Sequence, residues 1–150
     1  MKIGVISDTH KLMRPEALAA LHGVDKILHA GDIGHPDVLD ALREIAPLTA
    51  IKGNIDTQPW CAEIPERLQF EIAQVPILLT HNIKMTPRNE YASAKLIIYG
   101  HSHKPDIHYD NDRLFFNPGS AGPRRFKLPV CLGLLHIDDQ KITPEIIHLL

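Results

Sequence analysis

Seven side chains with the chemistry of metal ligands stand where hydrophobic runs of this sequence end: Asp8 and His10, Asp32, Asn54, His81, and His101 with His103. Neutral imidazole and carboxylate are the usual donors to borderline first-row ions such as manganese, iron, zinc, cobalt and nickel. Seven donors are too many for one ion. They suit two ions sharing a carboxylate, an arrangement that grips both the attacking and the leaving oxygen of an in-line phosphoryl displacement. Gly31, Gly53 and Gly100 each precede a member of the set, as expected where backbone must turn sharply or approach a site closely. Asp-x-His alone is a weak signal, and it gains weight only from the matching residues downstream.

The elements that must position these residues are legible as periodicity. Lys2 to Ile6 is a β-branched, apolar run that stops at Ser7 and predicts a buried strand. If the backbone stays extended, Asp8 and His10 point to the same side and one ion can meet both. Pro15 at a first turn, with Ala17, Leu18 and Leu21 behind it, predicts a short helix ended by Gly23. Asp25–Ala30 predicts a second strand, Pro36 to Leu42 a second helix, and Pro47–Lys52 a third strand. That β-α-β-α-β order implies right-handed crossovers and parallel pairing, with ligands collecting at the carboxyl ends. Beyond a loop at Thr57–Pro65, strands are expected at Arg67–Ala73, Pro76–Thr80 and Lys95–Tyr99. Ile83–Ser93, with Pro87 inside it, reads as a loop with at most one helical turn. Two hairpins close the chain: Ile107–Tyr109 with Leu114–Phe116, then Val130–Ile137 with Lys141–Leu149.

Composition narrows the function classes. The chain has 150 residues, 44% hydrophobic and 23% charged, ordinary for a globular protein able to bury a core. No repeat, low-complexity tract or linker interrupts it, so 1–150 reads as a single domain. The formal net charge of −2 offers no basic surplus for long nucleic acid. Cys61 and Cys131 lie far apart without a paired-cysteine motif, which suits a reducing compartment. With a strand expected from Lys2 there is no room for a signal peptide, and no run is long enough to span a membrane. The expected location is the cytoplasm.

Asp-x-His, Gly-Asp, Gly-Asn, a lone His and Gly-His-x-His, in this order from Asp8 to His103, resemble the calcineurin-like metallophosphoesterase superfamily. Asn117-Pro118-Gly119-Ser120 adds a likeness to its small bacterial and archaeal phosphodiesterase branch. The resemblance implies an α/β fold, a four-layer α-β-β-α sandwich of two mixed sheets. It implies two divalent metal ions, manganese first, with iron, nickel, zinc or cobalt as alternatives. One would be held by Asp8, His10, Asp32 and His103, and the other by Asp32, Asn54, His81 and His101, with Asp32 bridging. A hydroxide between the ions would attack a phosphodiester, with Asp32, Asn54 and His81 in the catalytic set. A small phosphodiester is the expected partner, without membrane or long nucleic acid, and a homo-oligomer is in keeping with the branch.

Three departures from the family pattern stand out. Ile55 occupies the position where another branch places a His as general acid, which disfavours esters with poor leaving groups. Asn82 follows His81 where Gly is usual, and is expected to tolerate a left-handed backbone there. The segment between His81 and Gly100 is short for the family, which normally has a helix in it. Two other readings share the fold: a phosphomonoesterase, and a non-catalytic scaffold like the eukaryotic retromer subunit of similar fold, whose ligand positions look degraded where all seven are intact here. Asp56 is balanced between orienting a ligand and capping a loop. Arg124, Arg125 and Lys127 read as a solvated basic loop. Phe126 and Trp60 either line the cleft or pack, and the remaining histidines (His22, His29, His35, His108, His136, His148) read as structural or surface.

Overall fold

The computed structural model describes residues 1–150. Strand β1 (Lys2–Ile6), helix α1 (Pro15–Ala20), β2 (Lys26–His29), α2 (Pro36–Arg43) and β3 (Leu48–Ala50) alternate as the periodicity demands. β1 pairs parallel with β2, and β2 with β3. Both helices begin at proline, whose fixed φ suits the first turn and whose missing N–H is not needed there. Gly4 lets α1 pack closely, because a Cβ there would lie 2.3 Å from Leu21 Cδ2.

The rest of the chain is β4 (Arg67–Ile72), β5 (Val75–Thr80), β6 (Leu96–Ile98), β7 (Asp106–Asp110), β8 (Arg113–Asn117), β9 (Cys131–Asp138) and β10 (Lys141–His148). They complete two mixed sheets, ordered β10-β9-β1-β2-β3 and β4-β5-β6-β8-β7. Three hairpins turn on two-residue tips with positive φ: Ala73-Gln74, Asn111-Asp112 and Asp139-Gln140. Tips of that hand match the twist of paired strands.

The sheets pack face to face over Ile3, Val5, Leu28, Ile77, Leu79 and Phe116, among others. Each such fully buried side chain contributes roughly 1.5–3 kcal/mol of transfer free energy. Ala17 of α1, Leu21 at its C-terminal cap, and Val38, Leu39 and Leu42 of α2 cover the outer face of the first sheet. On the outer face of the second sheet, Leu78, Ile97 and Phe115 are covered by Ile83, Tyr91 and Ala94. This fourth layer is two 3₁₀ turns, Ile83–Met85 and Arg88–Tyr91, where at most one turn was expected. Pro87 between them cannot donate the N–H that would join them into one helix. No helix is long and apolar enough to cross a membrane.

Candidate metal centre

The parallel strands β1, β2 and β3 of one sheet and β5 and β6 of the other end at a common edge, and each releases one ligand-bearing loop there. Strand pairing continues into these loops: Asp8 N donates to Gly31 O at 3.0 Å, His10 N to Asp32 O at 3.0 Å and Gly100 N to His81 O at 3.0 Å. The expectation of an extended Asp8–His10 segment is corrected. Asp8 (φ 57°) and His10 (φ 45°) are left-handed, as are Asp32 (57°), His101 (73°) and His103 (64°). These cross-loop hydrogen bonds hold a conformation that costs an L-residue about 1–2 kcal/mol. Strain of this kind concentrates where function needs a particular geometry.

The left-handed turns gather the side chains. His10 Nε2 lies 3.4 Å from Asp32 Oδ2, and His81 Nε2 lies 3.4 Å from Asp32 Oδ1. The two oxygens of one carboxylate therefore face two different imidazoles. Asp8 Oδ1 sits 3.5 Å from His103 Nε2 and 3.9 Å from His81 Nε2. Two overlapping groups result, Asp8/His10/His103 and Asp8/Asp32/His81, each compact enough for one ion. Asn54 joins the second through its Oδ1, 3.1 Å from His81 Nε2. His101 stands apart from both groups, exposed, with its ring edge-on to His81 at 5.2 Å between centroids.

Neighbouring groups aim Asp8 and His81 and fix the loops around them. Asp8 Oδ2 accepts from Ser7 Oγ at 2.8 Å and from His101 N at 3.1 Å, which turns Oδ1 inward. His81 Nδ1–H donates to Ala30 O at 2.7 Å, which turns its Nε2 toward Asp32 and Asn54. Asp56 is buried and gathers three backbone amides: Ile33 N at 3.0 Å, Gly34 N at 2.9 Å and Gly53 N at 2.9 Å. It therefore clamps the Asp32 loop to the Asn54 loop, a role that its sequence position alone left balanced. Asn117 donates to Gly100 O at 3.2 Å and Ser102 Oγ at 3.1 Å, fixing the loop of His101 and His103. His29, also fully buried, accepts from Gly31 N at 3.1 Å and bonds Thr9 Oγ1 at 3.0 Å. Ser7 and His29 were not singled out as site residues, because nothing in their local sequence marks what they touch across the sheet.

Glycine before the ligands is a matter of room. A Cβ on Gly53 would lie 2.1 Å from Asp32 Oδ1, and one on Gly100 would lie 2.1 Å from Ser7 Oγ and 2.8 Å from Asp8 Oδ2. Asn82 needs no left-handed tolerance, contrary to expectation: it is extended (φ −117°, ψ 106°) and caps the next turn by accepting from Lys84 N.

The electrostatics point to a cation. Burial, only partly offset by His81 and Ser7, pushes the Asp8 carboxyl up to about 6. Burial would also raise Asp32, but the adjacent imidazoles of His10 and His81, with the amide of Ile55, hold it well below the usual carboxylate range. Burial lowers His103 to about 4, with help from Arg125, and burial together with His81 lowers His101. Asp8 Oδ1 and His10 Nε2 are buried without a hydrogen-bond partner. A divalent ion is the group that satisfies oxygen and nitrogen lone pairs converging in this way. Beside the cluster a cleft of about 240 Å³ is lined by Lys52, Asn54, Arg67, His81, Met85 and His101, among others.

A two-sheet sandwich with carboxylates and imidazoles converging at its joined strand ends has the form of a metal-dependent hydrolase centre. The profile of the calcineurin-like phosphoesterase superfamily domain matches residues 1–140, and the chain belongs to that family. It is 37% identical over 162 residues to a probable metallophosphoesterase of Methanothermobacter thermautotrophicus, covering 99% of this chain and 92% of that protein. A Methanocaldococcus jannaschii protein named as a phosphodiesterase is 27% identical over 141 residues, covering 81% of this chain and 84% of its own. The crystal structure of Chaetomium thermophilum Vps29 superposes with a TM-score of 0.80 at 18% identity, covering 98% of this chain and 97% of that one, a likeness of fold.

Proposed function

We propose that this protein hydrolyses small phosphodiesters with two divalent cations, manganese first, held around a shared Asp32. The observation that carries the reading is the division of Asp32, whose Oδ2 faces His10 and whose Oδ1 faces His81 at equal distances of 3.4 Å. Asp8, His10 and His103 complete one side, and Asn54, His81 and His101 the other. Cations held by these residues would lower the pKa of an attacking water and offset charge on the phosphoryl oxygens. His81, anchored through Nδ1 to Ala30 O, keeps its Nε2 trained on that position. Asn54, exposed at the mouth, presents its amide to the substrate phosphoryl group and steadies charge that develops there.

Ile55 contributes only its backbone amide, which donates to Asp32 Oδ1 at 3.1 Å. No proton donor stands beside Asn54 at that position, which favours activated diesters over monoesters with poor leaving groups. The likeness to Vps29 brings in a scaffold role, but a protein that used only its surface would gain nothing from a buried carboxylate–imidazole cluster. A cytoplasmic setting and a homo-oligomer belong to the same reading.

The test is turnover of bis-p-nitrophenyl phosphate by manganese-loaded protein, beside Asp32→Asn and a chelated control. Wild type is expected to turn over, with both controls at background. Wild type as inactive as Asp32→Asn overturns the proposal.

A further inference from the structure

We infer that Phe126 and Arg125, on the loop that leaves the metal centre after Ala121, recognise an aromatic base, so that one arm of the diester is a nucleoside. The inference rests on the phosphodiesterase reading and names its substrate class. The root of the loop is built into the centre. Ser120 Oγ donates to Asp8 O at 3.1 Å, Ala121 N to Ser7 O at 3.1 Å, and Arg14 Nη2 to Gly122 O at 3.2 Å. Gly122 lies so close that a Cβ there would be 2.4 Å from Asp8 O and 2.6 Å from Thr9 O. The loop thus rises from the segment that carries Asp8 and His10.

Its tip is unlike its root. Pro123 to Lys127 are all exposed, and Leu128 N donates to Arg125 O at 3.0 Å, leaving Phe126 at the corner of the turn. Phe126 is 93% exposed and left-handed (φ 52°), a backbone that bulky side chains rarely adopt. It does not pack into the core, and it is not among the residues lining the cleft beside His81. Arg124, Arg125 and Lys127 flank it, and the charge of Arg125 reaches the rings of both His101 and His103. The cleft beside Asn54 and His81 is different: it holds Lys52, Glu66 and Arg67, the last paired with Glu90, with Met85 as its one apolar residue. The mouth is therefore lopsided, with a polar cleft and a separate loop of aromatic ring and guanidinium.

A phosphodiester has two arms and one phosphoryl group. With the phosphoryl group at the centre, a planar base suits Phe126 by stacking and Arg125 by its guanidinium plane. A single exposed ring, in a protein of net charge −2, suits one base better than a polymer.

The experiment compares calorimetric binding of thymidine 5′-monophosphate and of inorganic phosphate to the manganese-loaded protein. The nucleotide is expected to bind wild type at least about tenfold more tightly than phosphate, within what base–aromatic stacking supplies. Phe126→Ser should abolish that advantage while phosphate binding stays within about twofold, and Phe126→Trp should keep it. Equal ratios in wild type and Phe126→Ser overturn the inference. So does a smaller species of Phe126→Ser in gel filtration with the ratio intact, which would place the ring between two copies of the chain. The ratio is read without turnover: an inactive wild type that still prefers the nucleotide sinks the phosphodiesterase reading and leaves base recognition standing. An active wild type without the preference does the reverse.

Discussion

Asp56→Asn changes one atom of a buried carboxylate and should loosen two loops at once. Oδ2 accepts from Ile33 N and Gly53 N, and Oδ1 accepts from Gly34 N. An asparagine can turn its oxygen toward the first two amides, but its NH₂ group then faces the N–H of Gly34. Losing that charge-assisted bond and leaving the donor buried costs about 1.5–3 kcal/mol. The two retained bonds fall from charged to neutral acceptors, costing about 1 kcal/mol each. The variant should lose about 3.5–5 kcal/mol, a large part of the 5–15 kcal/mol typical of a domain. Because the clamp joins the Asp32 loop to the Asn54 loop, manganese affinity should also drop, by about tenfold or more. Urea unfolding in chelator reads the first effect, and calorimetric manganese titration of the folded variant reads the second. Asp37→Asn, on the exposed first turn of α2, serves as the control and should stay within about 0.5 kcal/mol. If Asp56→Asn unfolds within about 1 kcal/mol of wild type and binds manganese as tightly, the clamp is not what holds these loops.

Gly100→Ala should cost about 1–3 kcal/mol and weaken manganese binding, because its Cβ collides with Ser7 Oγ and crowds Asp8 Oδ2. Removing the collision partner tests the cause: Ser7→Ala combined with Gly100→Ala should lose less stability in urea than the two single changes together, and strict additivity refutes the contact. For His29, burial is the main cause that depresses the imidazole from its ordinary 6.5 to about 3. Between those values the unfolded chain binds the extra proton, so this part of the stability is complete above about pH 6.5 and is lost as pH falls, at about 1.4 kcal/mol per unit. Metal-free wild type should therefore lose about 2 kcal/mol more than His29→Gln between pH 6.5 and 5, and parallel urea profiles for the two would contradict it.

What the sequence makes legible is what depends on burial period and local chemistry. Ile3, Val5 and Ile6 ending at Ser7 define β1 because β-branched residues fill a buried pleat, and Pro15 and Pro36 mark helix starts because of their fixed φ. The seven ligand positions stand out for the same reason: a polar residue at the end of an apolar run has few structural explanations. The backbone that aims them does not stand out. Asp8 is left-handed because its amide is tied to Gly31 and its carbonyl to Ser120, partners far away along the chain. Asn82, which stands where the family usually has Gly, is extended because the next turn is 3₁₀ and needs a cap. Asp56 acts through amides of the Asp32 loop and His29 through the hydroxyl of Thr9, and no period or spacing encodes that.

Those non-local features carry their own argument about function. Five of the seven candidate ligands are left-handed, Asp8 is fully buried with one oxygen unpaired, and Asp32 is buried between two imidazoles. Each feature destabilises a fold considered alone: strained backbone, a carboxyl driven toward its neutral form, glycines where no side chain fits. A protein that needed only the outer surface of this sandwich could exchange the buried carboxylates for apolar residues and become more stable. The arrangement becomes favourable once positive charge lies between Asp8, Asp32 and the imidazoles. Added manganese should therefore raise the melting temperature of wild type and leave Asp32→Asn nearly unmoved. Equal melting temperatures with and without the ion would refute a cation at this cluster.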